Sequence, residues 1–285
     1  MKIGVSSYSY SRYQMEPVEV ARKAKSMGFD YIEFFELPFL PSGQTYASYA
    51  PLLRQECEKL NIKIVNYAVS ADLINNDLEK EIERLKGQVD IAHALGAPLM
   101  RHDATSGFPK GYKGAKSFED ALPVLIKGYR SVTEYAAQYG IKTMIENHGF
   151  FSQDSERVEK LINGVNNENF GLLLDMGNFL CVDENPVEAV GRLLPYVFHV
   201  HAKDFHVKSG MLPNPGEGWF QSRGGNYLRG SIIGHGEVPV FQCLNLLKKS
   251  GYDGVVCVEF EGLEEPTTGI SIGAKNLQNY INLCC

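Results

Sequence analysis

Two kinds of apolar patterning alternate along the chain. Short unbroken apolar runs rich in β-branched residues are separated by longer stretches with helical spacing. Several segments read as a helix end, a glycine and then an apolar run: KSMGFDYIEFFE, HALGAPLMRHD, QYGIKTMIENH and KSGYDGVVCVEFE. EKLNIKIVNYAV repeats the form with Asn61 at the glycine position, and Gly and Asn both accept the left-handed backbone that ends a helix. The runs suit parallel strands covered on both faces. They predict strands near 3–9, 30–36, 63–69, 97–103, 142–148, 170–175, 196–202 and 254–260. Helices are expected near 17–27, 49–60, 78–95, 118–139, 154–164, 186–194, 238–250 and 270–282. Pro17 and Pro186 fall in first turns, and Asp154 and Ser155 can cap.

Eight successive βα units predict an α/β fold, a single (β/α)8 TIM barrel, with residues 1–285 as one domain. A doubly wound open sheet is the alternative, but no GxGxxG follows the first strand to support it. No interdomain linker is visible. One long glycine-rich stretch, 204–236, follows the seventh strand, so the barrel topology puts it over the C-terminal mouth as a loop and lid.

Composition changes this picture little. Hydrophobic residues make up 44% and charged residues 22%, as in ordinary globular proteins. A net charge of -6 argues against nucleic acid as a partner, which calls for a basic stripe. No stretch has the length of a membrane span, so no membrane partner is expected. MKIGVSSYSYS lacks the basic region and apolar core of a signal peptide, which makes cytoplasmic the expected location. The 6 cysteines are scattered without a CxxC pair and read as reduced, mostly buried thiols.

The chemistry lies at strand ends, because in such a barrel these point into the active site. Four consecutive strands end in a potential ligand: TMIE at Glu146, GLLLD at Asp175, VFHVH at His201 and VVCVE at Glu259. Carboxylates beside a buried sheet are costly unless paired or bound to metal. Three converging ones repel, and one divalent cation resolves this. A mostly oxygen set with one imidazole favours Mn²⁺ or Mg²⁺, manganese first, with Co²⁺ or Zn²⁺ as alternatives. Such an ion would polarise a carbonyl and acidify the neighbouring C–H.

The segments IENHG, LLLDMGN, HVHAKD and VCVEFEG resemble the xylose-isomerase-like barrel superfamily, the sugar isomerase/epimerase and endonuclease IV group. The resemblance extends to MGFDYIEF and covers most of the chain. It implies that Glu146, Asp175, His201 and Glu259 form the family's single-metal site. In the epimerases the two glutamates are also the acid–base pair, which would make Glu146 and Glu259 catalytic. Endonuclease IV, and many of the epimerases, have histidine three residues after the strand-6 aspartate; this chain has Asn178.

Around this quartet, strand alternation puts His148 on the side of Glu146, and His199 and Lys203 on the side of His201. Arg101 and His102 end strand 4, and one of them must face the mouth. Trp219 and Arg223, with Phe220 and Arg229, belong to the long loop, and His235 precedes the seventh helix. Arg101, His102, His148, Lys203, Trp219, Arg223 and His235 are therefore candidate substrate contacts. Each also has a purely structural reading, as do Glu33, Tyr8 and Tyr10.

The first functional expectation is an isomerase or epimerase of a small keto-sugar or keto-polyol, working by proton abstraction next to the polarised carbonyl. The second is a lyase or dehydratase on the same scaffold, like inosose or dehydroshikimate dehydratases or a C-glycoside-cleaving subunit. The third is a barrel that only binds. A homo-oligomer is compatible with all three.

Overall fold

The computed structural model describes residues 1–284. Eight parallel strands close into a barrel: β1 (Lys2–Ser6), β2 (Tyr31–Phe35), β3 (Lys63–Val69), β4 (Leu99–His102), β5 (Lys142–Glu146), β6 (Phe170–Asp175), β7 (Val197–Ala202) and, after an insertion, β11 (Val255–Val258). β11 pairs with both β7 and β1 and so completes the ring. The surrounding helices are α1 (Pro17–Ser26), α2 (Tyr46–Lys59), α3 (Leu78–Leu95), α4 (Phe118–Ala137), α5 (Ser155–Val165), α6 (Pro186–Leu193), α7 (Val240–Lys249) and α8 (Pro266–Leu283). None of the described helices is long and apolar enough to cross a membrane.

Local chemistry explains these boundaries. Gly96 ends α3 with φ +72°, and Asn61 takes the same left-handed conformation, φ +51°, after α2. Capping boxes start α2 at Thr45 and α4 at Ser117. The expected first strand is too long. Residues Ser7–Tyr13 form a 3₁₀ segment instead, because the Ser7 hydroxyl accepts the Phe35 backbone N–H at 2.8 Å and draws the chain across the barrel end.

Apolar packing lies mainly between strands and helices, where Leu85, Val89, Leu125 and Val132 are fully buried. The lumen is different. It holds buried Glu33, Asn66, His199 and His201, which must find partners there.

The stretch 204–236 is not the irregular loop expected from its glycine content. It contains β8 (Asp204–Lys208), β9 (Phe220–Gln221) and β10 (Tyr227–Ser231), an antiparallel sheet in the order β8-β10-β9. DFHVK alternates polar and apolar residues, a strand signal that the surrounding glycines mask, whereas YLRGS carries no such alternation. At Gly230 a Cβ would sit 2.4 Å from the Glu261 carbonyl, so glycine is what lets β10 lie against the segment after β11. Ser222 also donates to Asp183 at 2.7 Å, and Arg223 reaches Asp154 at 3.0 Å. The sheet is thereby fastened on two sides.

The buried thiols of Cys57, Cys181, Cys243 and Cys257 are free, as expected; Cys285 lies outside the described residues. The insertion depends on Asp204, whose buried carboxylate accepts from the backbone N–H groups of Gly234 (2.8 Å), Gly236 (2.9 Å) and Val238 (3.1 Å). Asp204→Ala strands these donors and should cost about 3 kcal/mol, read as a lower urea midpoint; an unchanged midpoint would mean water replaces the carboxylate.

Candidate functional site

Each member of the quartet stands at a strand end. Glu146 closes β5, Asp175 closes β6, His201 lies in β7 opposite Asp175, and Glu259 follows β11 with its N–H donating to the Ala202 carbonyl at 3.0 Å. All four are buried. One donor atom from each can be chosen so that all lie within 4.8 Å of one another. The His201 Nδ1 sits 3.5 Å from Glu259 Oε2, 3.8 Å from Glu146 Oε1 and 3.9 Å from Asp175 Oδ2. Ligands sharing a small divalent ion at about 2.1 Å stand about 3 to 4.2 Å apart, so the spacing fits.

The hydrogen bonding fits as well. His201 presents Nε2 to both oxygens of Glu33 at 2.9 Å, which turns Nδ1 toward the carboxylates. That Nδ1 is buried and makes no hydrogen bond. Asp175 Oδ1 accepts from the N–H groups of Gly177 and Asn178, at 2.8 and 3.0 Å. Its Oδ2 is buried without an aligned hydrogen bond, although Lys203 Nζ lies 3.2 Å away. Two orphaned buried atoms thus face the same point.

Charge tells the same story. The carboxylates of Glu33, Asp103, Glu146, Asp175, Glu259 and Glu261 surround a cleft whose permanent cations are Arg101 and Lys203. Burial and the neighbouring Glu259 and Glu146 push the Asp175 carboxyl up to about 6, against the pull of Lys203. Glu259 moves the other way: burial raises it, but Lys203 and His201 outweigh this and hold it ionised. Lys203 is itself kept protonated, despite its burial, by Asp175, Glu259 and Glu261.

The cleft opens at the C-terminal end of the barrel and measures about 530 Å³ with its solvent-open mouth included. Arg101, Lys203 and His148 line it. Arg101 reaches Glu146 Oε2 at 2.6 Å and Asp103 at 2.8 Å. Half-exposed His148 meets Asp103 through Nδ1 at 3.0 Å. Burial pulls the His148 pKa down, but the Asp103 bond and the Glu146 charge leave it raised.

Four other candidate contacts stand outside this cleft. Alternation turns His102 away from the lumen, where it stacks on Tyr129 at 4.2 Å, and burial pushes its pKa down to about 4. Trp219 packs under the Arg229 guanidinium at 5.2 Å. Arg223 is spent on Asp154 and the Phe150 carbonyl. His235 is exposed on the turn before α7. The insertion folded as a sheet, so its side chains pair with the frame around it.

Asp103 and Glu261 line the cleft and were not anticipated. Each follows a known site residue by two positions, Arg101 and Glu259, so strand alternation was the available signal. Asn178, noted as a departure, donates to Glu146 Oε1 at 3.1 Å and lies 3.3 Å from Lys203 Nζ.

The family described as xylose isomerase-like TIM barrel matches residues 21–280. The chain belongs to that family. Among its curated relatives, an inosose dehydratase from Clostridium botulinum (strain Alaska E43 / Type E3) is 23% identical over 229 residues, spanning 77% of this chain and 76% of the relative. Among solved structures, the IOLI protein with a bound zinc atom superposes with a TM-score of 0.76 at 19% identity, covering 100% of this chain and 99% of the other. An L-ribulose 3-epimerase gives 0.74 at 13% identity, covering 99% and 95%. At such identities the structures establish the shared barrel.

Metal loading should follow from this xylose-isomerase-like site. One equivalent of Mn²⁺ should raise the Tm of metal-stripped protein, and alanine at Glu146, Asp175, His201 or Glu259 should reduce the shift. Glu33→Leu, which removes the partner of His201 Nε2 and none of the quartet, should weaken affinity by about 10- to 100-fold by calorimetry. Equal affinity in all five variants would place the ion elsewhere.

Proposed function

We propose that this protein is a metal-dependent lyase that dehydrates a small keto-polyol, starting with proton removal next to the carbonyl. The observation behind this reading is an asymmetry between the two glutamates. Glu146 is tied through both oxygens, Oε1 to Asn178 at 3.1 Å and Oε2 to Arg101 at 2.6 Å. Both oxygens of Glu146 are therefore occupied, and a carboxylate whose lone pairs are taken up in this way is poorly placed to accept a proton from carbon. Glu259 is held by Lys203 through Oε2, at 2.6 Å. The contacts of both Lys203 and His201 fall on that same oxygen of Glu259, so its Oε1 is the carboxylate oxygen left to meet a substrate C–H.

When bound, the divalent ion would polarise the substrate carbonyl and lower the pKa of the adjacent C–H. Glu259 removes that proton, and the electron pair moves toward the carbonyl oxygen. The pair then returns, the C–O bond at the next carbon breaks, and the departing oxygen takes up a proton and leaves as water. Lys203 and His148, both on the cleft wall, are the donors at hand. Arg101 orients Glu146 and can hold a substrate hydroxyl through its remaining N–H groups. The dehydratase named among the relatives supports the same outcome.

Epimerisation is the second reading. Glu146 Oε1 and Glu259 Oε2 both flank His201 Nδ1, at 3.8 and 3.5 Å, and an epimerase needs an acid and a base on opposite faces. The L-ribulose 3-epimerase neighbour supports it.

Proton NMR in deuterated water, with Mn²⁺-loaded protein and a panel of cyclic and open-chain keto-polyols, separates the two. For the lyase, an unsaturated product appears, Glu259→Gln loses exchange by about 10²- to 10⁴-fold, and Glu146→Gln keeps it. Epimerised product, with epimerisation lost in both variants, would overturn the lyase in favour of the epimerase.

A further inference from the structure

The cleft has one aromatic side, and it borders a second space. Tyr8 and Phe35 pack edge to face at 5.4 Å, and both line the cleft. The same two rings line a neighbouring apolar recess, partly open to solvent, between the 3₁₀ segment, the start of α1 and residues 36–39. Its other walls include Met15, Val20, Phe34, Pro38 and Phe39.

Several polar groups of this annex are already engaged. The Ser7 hydroxyl accepts from the Phe35 N–H at 2.8 Å, and Glu36 Oε1 accepts from the Ser70 N–H at 3.2 Å. The Tyr10 hydroxyl is directed to the Met27 sulfur at 3.4 Å. What the annex mainly offers a guest is ring face and aliphatic surface. The protein leaves this surface uncovered, with Tyr8 39% and Phe39 48% exposed. The rim is strained as well. Glu36 and Phe39 both adopt left-handed backbone, φ +47° and +58°, and such strain in non-glycine residues gathers at ligand sites.

We propose that the annex receives an aromatic-ring-sized apolar substituent carried by the polyol, so that the substrate class is an aryl-substituted keto-polyol, such as an aryl glycoside, and not a bare sugar. This rests on the reading of the cleft as the polyol site. Tyr8 and Phe35 are the common wall of the two spaces, so a polyol seated among Arg101, Glu259 and Lys203 can direct one substituent past these rings. An apolar recess of this character favours an apolar group over ordered water.

The test compares methyl and phenyl β-D-glucopyranoside binding to Mn²⁺-loaded protein by calorimetry, with the ¹³C-methyl NMR signal of Met15 as a local reporter. The phenyl glycoside should bind about tenfold tighter or better, from the apolar area it buries, and it alone should shift Met15. Val20→Phe fills the annex and should erase the preference while leaving methyl glycoside binding unchanged. If that variant misfolds, Met15→Trp at a half-buried position makes the same test by calorimetry. Equal affinities, or a preference that survives both fillings, would overturn the proposal. Should neither glycoside bind, p-cresol reads the annex alone: a Met15 shift supports it and an unmoved signal overturns it. A Met15 response without turnover of any keto-polyol would defeat the dehydratase reading and leave the annex standing.

Discussion

Glu33 sits inside the barrel with 1% of its surface exposed, and the site is arranged around it. A carboxylate in that place must be met by donors, because water cannot supply them. His201 donates from Nε2 at 2.9 Å, Asn66 from its amide at 2.9 Å, and His199 Nε2 stands 3.1 Å away. Burial raises the Glu33 pKa, and the two imidazoles more than reverse this, so the group stays ionised. That charge fixes which nitrogen of His201 faces the mouth. With Nε2 occupied, Nδ1 is the atom that meets Glu146, Asp175 and Glu259.

The second constraint is the excess of negative charge around that nitrogen. Arg101 and Lys203 are buried to offset it, and each links several acids. Arg101 joins Glu146 to Asp103, while Lys203 joins Asp175, Glu259 and Glu261. The two cations differ chemically: guanidinium is always charged and binds as a rigid fork, whereas ammonium is a compact point charge on a flexible stem. Their placement makes Glu146 and Glu259 unequal, although sequence alone presents them as a symmetric pair. Around them the barrel contributes rigidity. Asn147 clamps β5 to β6 through both the N–H and the carbonyl of Asp175, at 2.9 and 2.8 Å.

The barrel itself was legible in the order of the residues, because strand and helix leave different periods and glycine or asparagine marks most of the helix ends. The quartet was legible for the same reason: a carboxylate or imidazole after an apolar run is a local signal. Lys203 and His148 could be read from alternation. The insertion could not, since glycines at 210, 216 and 218 hide its short strands behind a loop-like composition.

Sequence by itself determined the eight βα units and which residues end their strands, since both depend on local spacing and on the alternation of side chains along a strand. It also limited Arg101 and His102 to a choice of one facing the mouth. Closure of the barrel made that choice, sending Arg101 inward to Glu146 and His102 outward to Tyr129. The tertiary structure likewise decided that Trp219, Arg223 and His235 stand outside the cleft, that Glu33 orients His201, and that Tyr8 and Phe35 join the cleft to an apolar annex. These outcomes depend on contacts between residues far apart in the chain: Glu33 and His201 are separated by 168 positions. Such contacts form only when strand order and register bring distant strand ends to the same mouth, and no local pattern encodes that meeting.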